Sequence, residues 1–171
     1  MGDYSVDTTG VQVSKSKLPL KRTIVEDGKK IELNTDYGNI FDKIEQSKNA
    51  TPPKIIENSD GKIVVLYKEG NAPNSLRIAE QYRPDGTYDK KQTIFKSDGS
   101  SITENGNDAY TSNSKGQLVS KDDAANRLHS VYDENGKLSS VEDFNKRMKY
   151  FYKNGELADS CKLPPSGINA Q

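Results

Sequence analysis

The residue types that most often perform catalysis are scarce in this sequence. Its 171 residues include one histidine, His129, and one cysteine, Cys161. A Cys–His pair can supply a nucleophile, because the imidazole takes the proton of the thiol. His129, however, falls inside a segment that reads as a β-strand, and no glycine-rich or helix-start context near Cys161 favours a thiolate. We therefore interpret both as ordinary strand and tail residues and expect that the protein is not an enzyme.

Metal and cofactor sites are also not indicated. One histidine and one cysteine cannot provide the tetrahedral nitrogen and sulfur ligands of a zinc site. The segment DENGK at 133–137 offers oxygen ligands, but its glycine is fourth, whereas a calcium-binding EF-hand loop needs glycine sixth and glutamate twelfth. Adjacent carboxylates such as Asp122 and Asp123 point to opposite faces of a strand, so they cannot act as an acid–base pair. No phosphate-binding loop, GxSxG or HExxH motif occurs. We expect no metal and no cofactor.

Tyrosines are the residues best suited to a binding role. Each has an apolar ring and a polar tip, which suits both half-buried sheet positions and recognition surfaces. Packing of one hairpin on the next is the favoured explanation of these residues. If several lay exposed along one face, however, a protein-binding or carbohydrate-binding surface would become credible. The candidate surface consists of Tyr82, Tyr88, Tyr110, Tyr132, Tyr150 and Tyr152.

Glycine-containing turns divide the chain from residue 54 onward into short segments rich in β-branched and aromatic residues. Glycine at the end of each turn supplies a positive φ without steric cost. The turn glycines lie at 86, 99, 116, 136 and 155. The last intervals in this series are nearly equal, which indicates an array of hairpins. The apolar run KIVVLYK at 62–68 predicts a central strand that is covered on both faces.

One hairpin and one helix are predicted upstream of this array. Asp27-Gly28 between alternating residues predicts a two-residue turn that pairs Ile24 with Ile31. A helix near residues 36–48 follows from an apolar stripe at i, i+3, i+4 and i+7. So short a helix is unstable alone and must pack on the sheet. The residues that make the stripe are Tyr37, Ile40, Phe41 and Ile44.

These elements define the fold class as α+β and mostly β, an antiparallel meander of β-hairpin repeats with one short amphipathic helix. We expect residues 1–20 to be an extended arm, with one strand at Val11–Val13. Residues 21–160 should form a single hairpin-repeat domain, and residues 161–171 a flexible tail. The best-packed core should lie near residues 24–66, where the helix can cover the sheet.

Charge and hydropathy exclude several functional classes. The 25 basic residues balance 25 acidic ones, so no basic field indicates a nucleic-acid partner. No apolar run approaches the length of a membrane-spanning helix, and we expect no membrane insertion. Residues 1–20 lack the apolar core of a secretory signal. The expected location is therefore the cytoplasm, or the exterior by a non-classical route.

Residues 127–158 resemble two copies of the tyrosine–aspartate (YD, or Rhs-type) repeat. The family pattern is roughly Y-D-x-x-G-x-L followed by a short strand, a polar turn and an aromatic strand. MORN-like hairpin repeats are similar, and looser echoes extend over about 75–160. The first copy matches at Tyr132, Asp133, Gly136 and Leu138, and the second at Tyr152, Gly155 and Leu157, with Lys153 in place of the aspartate.

The resemblance implies a bacterial β-scaffold whose repeats present a binding surface, often on surface proteins, secreted proteins or toxins. In that family toxin activity lies in a separate C-terminal domain, and only residues 159–171 follow the repeats here. We therefore expect a non-enzymatic scaffold or protein-interaction module that uses a sheet face or an edge strand. The alternative is a glycan-binding module that uses the tyrosines, and a weaker third is an antitoxin-like or immunity-like partner of a toxin.

Overall fold

The computed structural model describes residues 5–14, 20–35, 37–47, 53–70 and 72–164. These residues contain one helix, α1 (Gly38–Ser47), which is not long and apolar enough to cross a membrane. The first strands are β1 (Val11–Val13), β2 (Leu20–Glu26), β3 (Lys29–Thr35), β4 (Lys54–Glu57), β5 (Ile63–Lys68), β6 (Arg77–Tyr82) and β7 (Tyr88–Phe95). The others are β8 (Ser101–Asn105), β9 (Asp108–Ser112), β10 (Leu118–Asp123), β11 (Leu128–Tyr132), β12 (Leu138–Asp143), β13 (Met148–Lys153) and β14 (Glu156–Lys162).

Twelve of the strands form one antiparallel sheet. Its order is β1, then β4, then β5 to β14 in sequence, while β2 and β3 form a separate hairpin. Consecutive strands are neighbours from β4 onward, so the predicted antiparallel meander with one short helix is confirmed. The predicted helix bounds, 36 and 48, fall on residues outside those described, and α1 begins and ends just inside them.

The predicted two-residue hairpin turn is confirmed. Asp27 has a φ of 50° and Gly28 a φ of 75°, as a type I′ turn requires. The resulting register places Ile24 opposite Ile31 and Glu26 opposite Lys29. At the end of this hairpin, the Thr35 hydroxyl donates a hydrogen bond of 2.7 Å to the carbonyl oxygen of Pro84. The hairpin is therefore tied to the turn between β6 and β7.

The core surrounds β5, which is buried on both faces as predicted. Ile63, Val64 and Val65 are successive residues of β5, and none is more than 1% exposed. Ile40 of α1 and Tyr37, the residue just before the helix, cover one side, and we call this side of the sheet the helix face. The apolar stripe of α1 packs there on the side chains that β4, β5 and β6 direct to that face.

The opposite side of β5 is covered by the N-terminal segment. Val6 is 3% exposed and packs with Ile56, Val64 and Ala79. The strand predicted at Val11–Val13 is confirmed as β1, which pairs with β4. Just before it, a Cβ at Gly10 would lie 2.3 Å from a main-chain oxygen of β4, so only glycine fits this approach. Within the described part of the predicted arm, Val11–Val13 therefore belong to the sheet and Val6 packs against it.

Beyond β7 the sheet continues as a single layer. Most residues of β8 to β13 are half-buried, since each side chain is covered only by its neighbours within the sheet. The sheet also extends further than expected. Cys161 and Lys162, assigned from sequence to a flexible tail, belong to β14 because they pair with Lys149 and Met148. Residues 165–171 of that predicted tail lie outside the described residues.

The turns between β10 and β11 and between β12 and β13 lie at the opposite end of the hairpins from the glycine turns. Both lack glycine, and both share one pattern, an aspartate followed four positions later by an arginine. In the first, the Asp123 carboxylate accepts a hydrogen bond from the main-chain N–H of Asn126. In the second, the Asp143 carboxylate accepts hydrogen bonds from two main-chain N–H groups of the same turn. Each turn closes with an arginine in the left-handed region, Arg127 at φ 52° and Arg147 at φ 54°. The sequence repeat therefore includes the turns at both ends of the hairpins.

Matched valines should reveal the difference between the two-sided core and the single layer. Val65→Ala should lower the free energy of unfolding by about 2 kcal/mol, because it removes two buried methyl groups and leaves a cavity. The same change at half-buried Val131 in β11 should cost less than about 1 kcal/mol. Urea titrations monitored by circular dichroism would compare them. Equal losses would show that the single layer is packed as tightly as β5.

The last strand differs in charge from its equivalents inside the sheet. In cross-strand rows, Asp159 occupies the place that Ser140 has in β12, and Lys162 the place that Asp143 has there. Among the described residues, β14 has a neighbouring strand on one side only. Charged side chains on an edge strand discourage pairing with another chain. The two exchanges are therefore suited to an edge that must stay unpaired.

Restoring interior residues at this edge should promote self-association. The double variant Asp159→Ser, Lys162→Asp should shift the sedimentation profile towards larger species as its concentration rises, relative to the wild type. The variant Asp60→Ser, Lys62→Asp changes the charge identically in the turn between β4 and β5, and should behave as wild type. If both variants sediment as wild type, these charges do not protect the edge.

Candidate binding surface

Four of the six candidate tyrosines lie on one side of the sheet. A single row across the strands runs from Tyr110 through Lys121, Ser130 and Val141 to Tyr150. Strand alternation places Tyr132 and Tyr152 on the same side, two positions along from Ser130 and Tyr150. We call this side the tyrosine face. It is the side opposite α1, and further along the sheet it is covered by Val6.

A second row of the tyrosine face combines tyrosine with leucine. Tyr132 pairs with Leu138, and Tyr152 pairs with Leu157, at the ends of successive hairpins. Leu157 is 60% exposed. We define the tyrosine–leucine row as Leu118, Tyr132, Leu138, Tyr152 and Leu157.

Its leucines were not among the sequence-predicted site residues, although a signal was present. Each leucine comes two positions after a turn glycine, as in Gly136 and Leu138. Each of these leucines is the first or second residue of the strand that follows its turn, so this spacing brings the leucines to the same end of their hairpins. The regular G-x-L pattern could therefore have added them to the candidate surface.

Tyr82 and Tyr88 lie on the helix face instead. Tyr82 is 7% exposed and belongs to the core beneath α1, so it is not part of the same surface. Tyr88 is 39% exposed, and its ring centre lies 5.4 Å from that of Tyr82. The ammonium of Lys43 in α1 is 5.8 Å from the centre of the Tyr88 ring. The six candidate residues are therefore divided between two faces.

A charged pair anchors α1 next to these rings. Nζ of Lys43 lies 2.5 Å from Oε2 of Glu80, a β6 residue that is 3% exposed. Burial, and then the negative charge of Glu80, raise the pKa of Tyr82 to about 12. Burial likewise raises the pKa of Tyr67, with a further contribution from a hydrogen bond to Glu80. Where the helix meets the sheet, two tyrosines with raised pKa values therefore lie beside one ion pair, in which Oε2 of Glu80 is paired and Oε1 has no hydrogen-bond partner among the described residues.

His129 and Cys161 lie in one polar row of the helix face, but not near each other. The row passes from His129 to Glu142, then Lys149, then Cys161. Three strand spacings separate the first from the last, which is about 14 Å. Nδ1 of His129 is instead 2.6 Å from a carboxylate oxygen of Asp122. The imidazole and the thiol therefore cannot exchange a proton directly.

Within the described part of the chain, no three histidine, cysteine, aspartate or glutamate side chains converge as a metal site would require. The chain matches no protein-family model, no curated protein and no solved structure.

The stability of the fold in alkali should depend on Tyr82. Its pKa is about 12 when folded, against about 10 in an unfolded chain. Its contribution is therefore complete below about pH 10 and is lost as the pH rises towards the folded value. The free energy of unfolding, from urea titrations between about pH 9 and 11.5, should fall less steeply in Tyr82→Phe than in the wild type. Val25→Ala, at a residue that is 69% exposed and has no titratable side chain, is the control and should keep the wild-type slope. An unchanged slope in Tyr82→Phe would contradict this role for the buried phenol.

Proposed function

We propose that this protein is a non-enzymatic repeat scaffold that binds a partner protein through the tyrosine face of β10 to β14. The observation that carries the proposal is the tyrosine–leucine row, a line of large apolar side chains of which four are half-buried and the last, Leu157, is exposed. Contiguous apolar surface of this kind is typical of interaction sites. Tyrosine is also enriched at the centres of protein interfaces, where its ring packs and its hydroxyl donates hydrogen bonds.

Comparison with the rest of the sheet supports this choice of face. Over β5 and β6, the same side is covered by Val6, so apolar residues there have an internal partner. On the helix face of the single layer, polar side chains are matched to one another, as Nζ of Lys149 is to Oε1 of Glu142 at 3.5 Å. On the tyrosine face, Nζ of Lys121 in β10 lies 5.6 Å from the centre of the Tyr110 ring, whereas the tyrosine–leucine row ends at Leu157, which is 60% exposed.

The resemblance of residues 127–158 to YD repeats supports a bacterial scaffold that presents a binding surface rather than a reaction centre. The regular spacing of two tyrosines also favours a second candidate, a glycan-binding module. Tyr132 and Tyr152 lie on β11 and β13, which are separated by one intervening strand. Two strand spacings correspond to about 10 Å. Aromatic rings repeated along a line can stack on successive sugar rings.

A pull-down from the organism's own lysate, followed by mass spectrometry, tests the proposal. The wild type should retain a protein that the double variant Tyr132→Ser, Tyr152→Ser loses, because truncation of central aromatic residues weakens interfaces most. Phe151→Ser is the matched control. Phe151 lies between the strand positions of Tyr150 and Tyr152 but on the helix face, and it is 37% exposed. This variant should retain the partner.

The outcome against the proposal is equally specific. If no retained protein depends on Tyr132 and Tyr152, and the wild type binds a glycan array through the same tyrosines, the protein is a glycan-binding module. Loss of the partner in Phe151→Ser alone would place the interface on the helix face.

A further inference from the structure

A trough on the tyrosine face lies beside the tyrosine–leucine row. One cross-strand row runs from Phe95 through Ser101 and Ser112 to Leu118. Two small side chains therefore lie between two large ones, and the span from first to last is three strand spacings, about 14 Å. We call this depression the serine trough. It has a volume of about 620 Å³.

The walls and the rim of the serine trough are held in place by contacts with neighbouring residues. The guanidinium of Arg77 lies 5.5 Å from the ring centre of Phe95 and holds that wall. At the rim, the turns after β7 and β9 approach closely, since a Cβ on Gly99 would lie 3.1 Å from Cβ of Ser114. Glu134 is the one charged residue among those that line the trough. No basic residue is among the described residues that line the trough, so its lining does not attract an anionic ligand.

The N-terminal segment shows how an extended chain packs on this face. Immediately beyond Phe95, the segment around Val6 lies against the tyrosine face, and the main-chain N–H of Val6 donates a 2.9 Å hydrogen bond to Oγ1 of Thr93. The Val6 side chain packs among apolar residues, with Phe95 at their edge. Ser5, the preceding residue, lines the serine trough. A main chain, a floor hydroxyl and an aliphatic side chain thus already form one such contact beside the trough.

We propose that the serine trough binds an extended peptide segment of the partner protein. Main-chain N–H groups of the segment would donate to the hydroxyls of Ser101 and Ser112, as Val6 does to Thr93. A small or β-branched aliphatic side chain would fill the space between Phe95 and Leu118. This inference rests on the proposed function, because the trough adjoins the tyrosine–leucine row at Leu118 and extends the same binding surface.

Random heptapeptides displayed on phage, selected against the full chain, are the probe. Enriched peptides, synthesised and titrated by fluorescence anisotropy, should bind Ser101→Leu about tenfold or more weakly than the wild type, since leucine fills the floor. Ser120→Leu is the matched control, because Ser120 lies in β10 but on the helix face, with the sheet between it and the trough, and should bind as wild type. Ser101→Leu, Ser112→Leu should lose binding further. If burial of Ser112 prevents that variant from folding, Ser101→Leu alone decides.

Each contrary result identifies a different error. Peptides that bind Ser101→Leu and wild type equally overturn the proposal. So does a glycan-array signal that Ser101→Leu abolishes, or a concentration-dependent dimer that it dissociates, because the occupant would then be a sugar or a second copy. A lysate protein that depends on Tyr132 and Tyr152 but binds Ser101→Leu normally would retain the proposed function and exclude the trough. If binding depended neither on Tyr132 and Tyr152 nor on Ser101, both the proposed function and the role of the trough would be excluded.

Discussion

Burial of β5 on both faces is the interaction on which the rest of the sheet depends. A lone hairpin is marginally stable in water, and a single-layer sheet gains little from each added strand. Here α1 and Val6 enclose Ile63, Val64 and Val65 from opposite sides, so the chain has one region where apolar area is fully removed from water. Each further strand can therefore form its hydrogen bonds with the edge of a strand that is already held in place. The array of hairpins can therefore extend to β14 without a second layer.

In the single layer, the register of each hairpin is fixed by its turns rather than by packing in a core. In the turn after β6, the main-chain and side-chain hydrogen bonds from Thr87 hold the pKa of Asp85 below its usual range. Ser100 has the same effect on the pKa of Asp98 in the next turn, through its hydroxyl and then its N–H. A charged acceptor bound twice within the turn resists a slip of one residue, which would exchange the two faces.

Local patterns in the sequence predicted the hairpins, the helix and the alternation of faces, because turn glycines and apolar spacing act over a few residues. Contacts between distant segments could not be read in this way. The seating of Val6 on β5 and the pairing of Lys43 with Glu80 join segments whose separation carries no periodic signal. Tyr82 was assigned to the binding surface for the same reason. The alternation of its strand predicts that Tyr82 shares a face with Ile78 and Glu80. It does not indicate that α1 covers this face.

The two faces of the single layer differ in how far their polar groups satisfy one another. Long side chains on the helix face reach their neighbours across one strand spacing, as amide Nε2 of Gln92 reaches Oε2 of Glu104 at 2.8 Å. Serine hydroxyls of the tyrosine face are shorter and are set between large apolar groups, which is the arrangement that the proposed peptide segment would use. Edge pairing at β14 is opposed by the charges of Asp159 and Lys162. The proposed recognition therefore uses the tyrosine face rather than this edge.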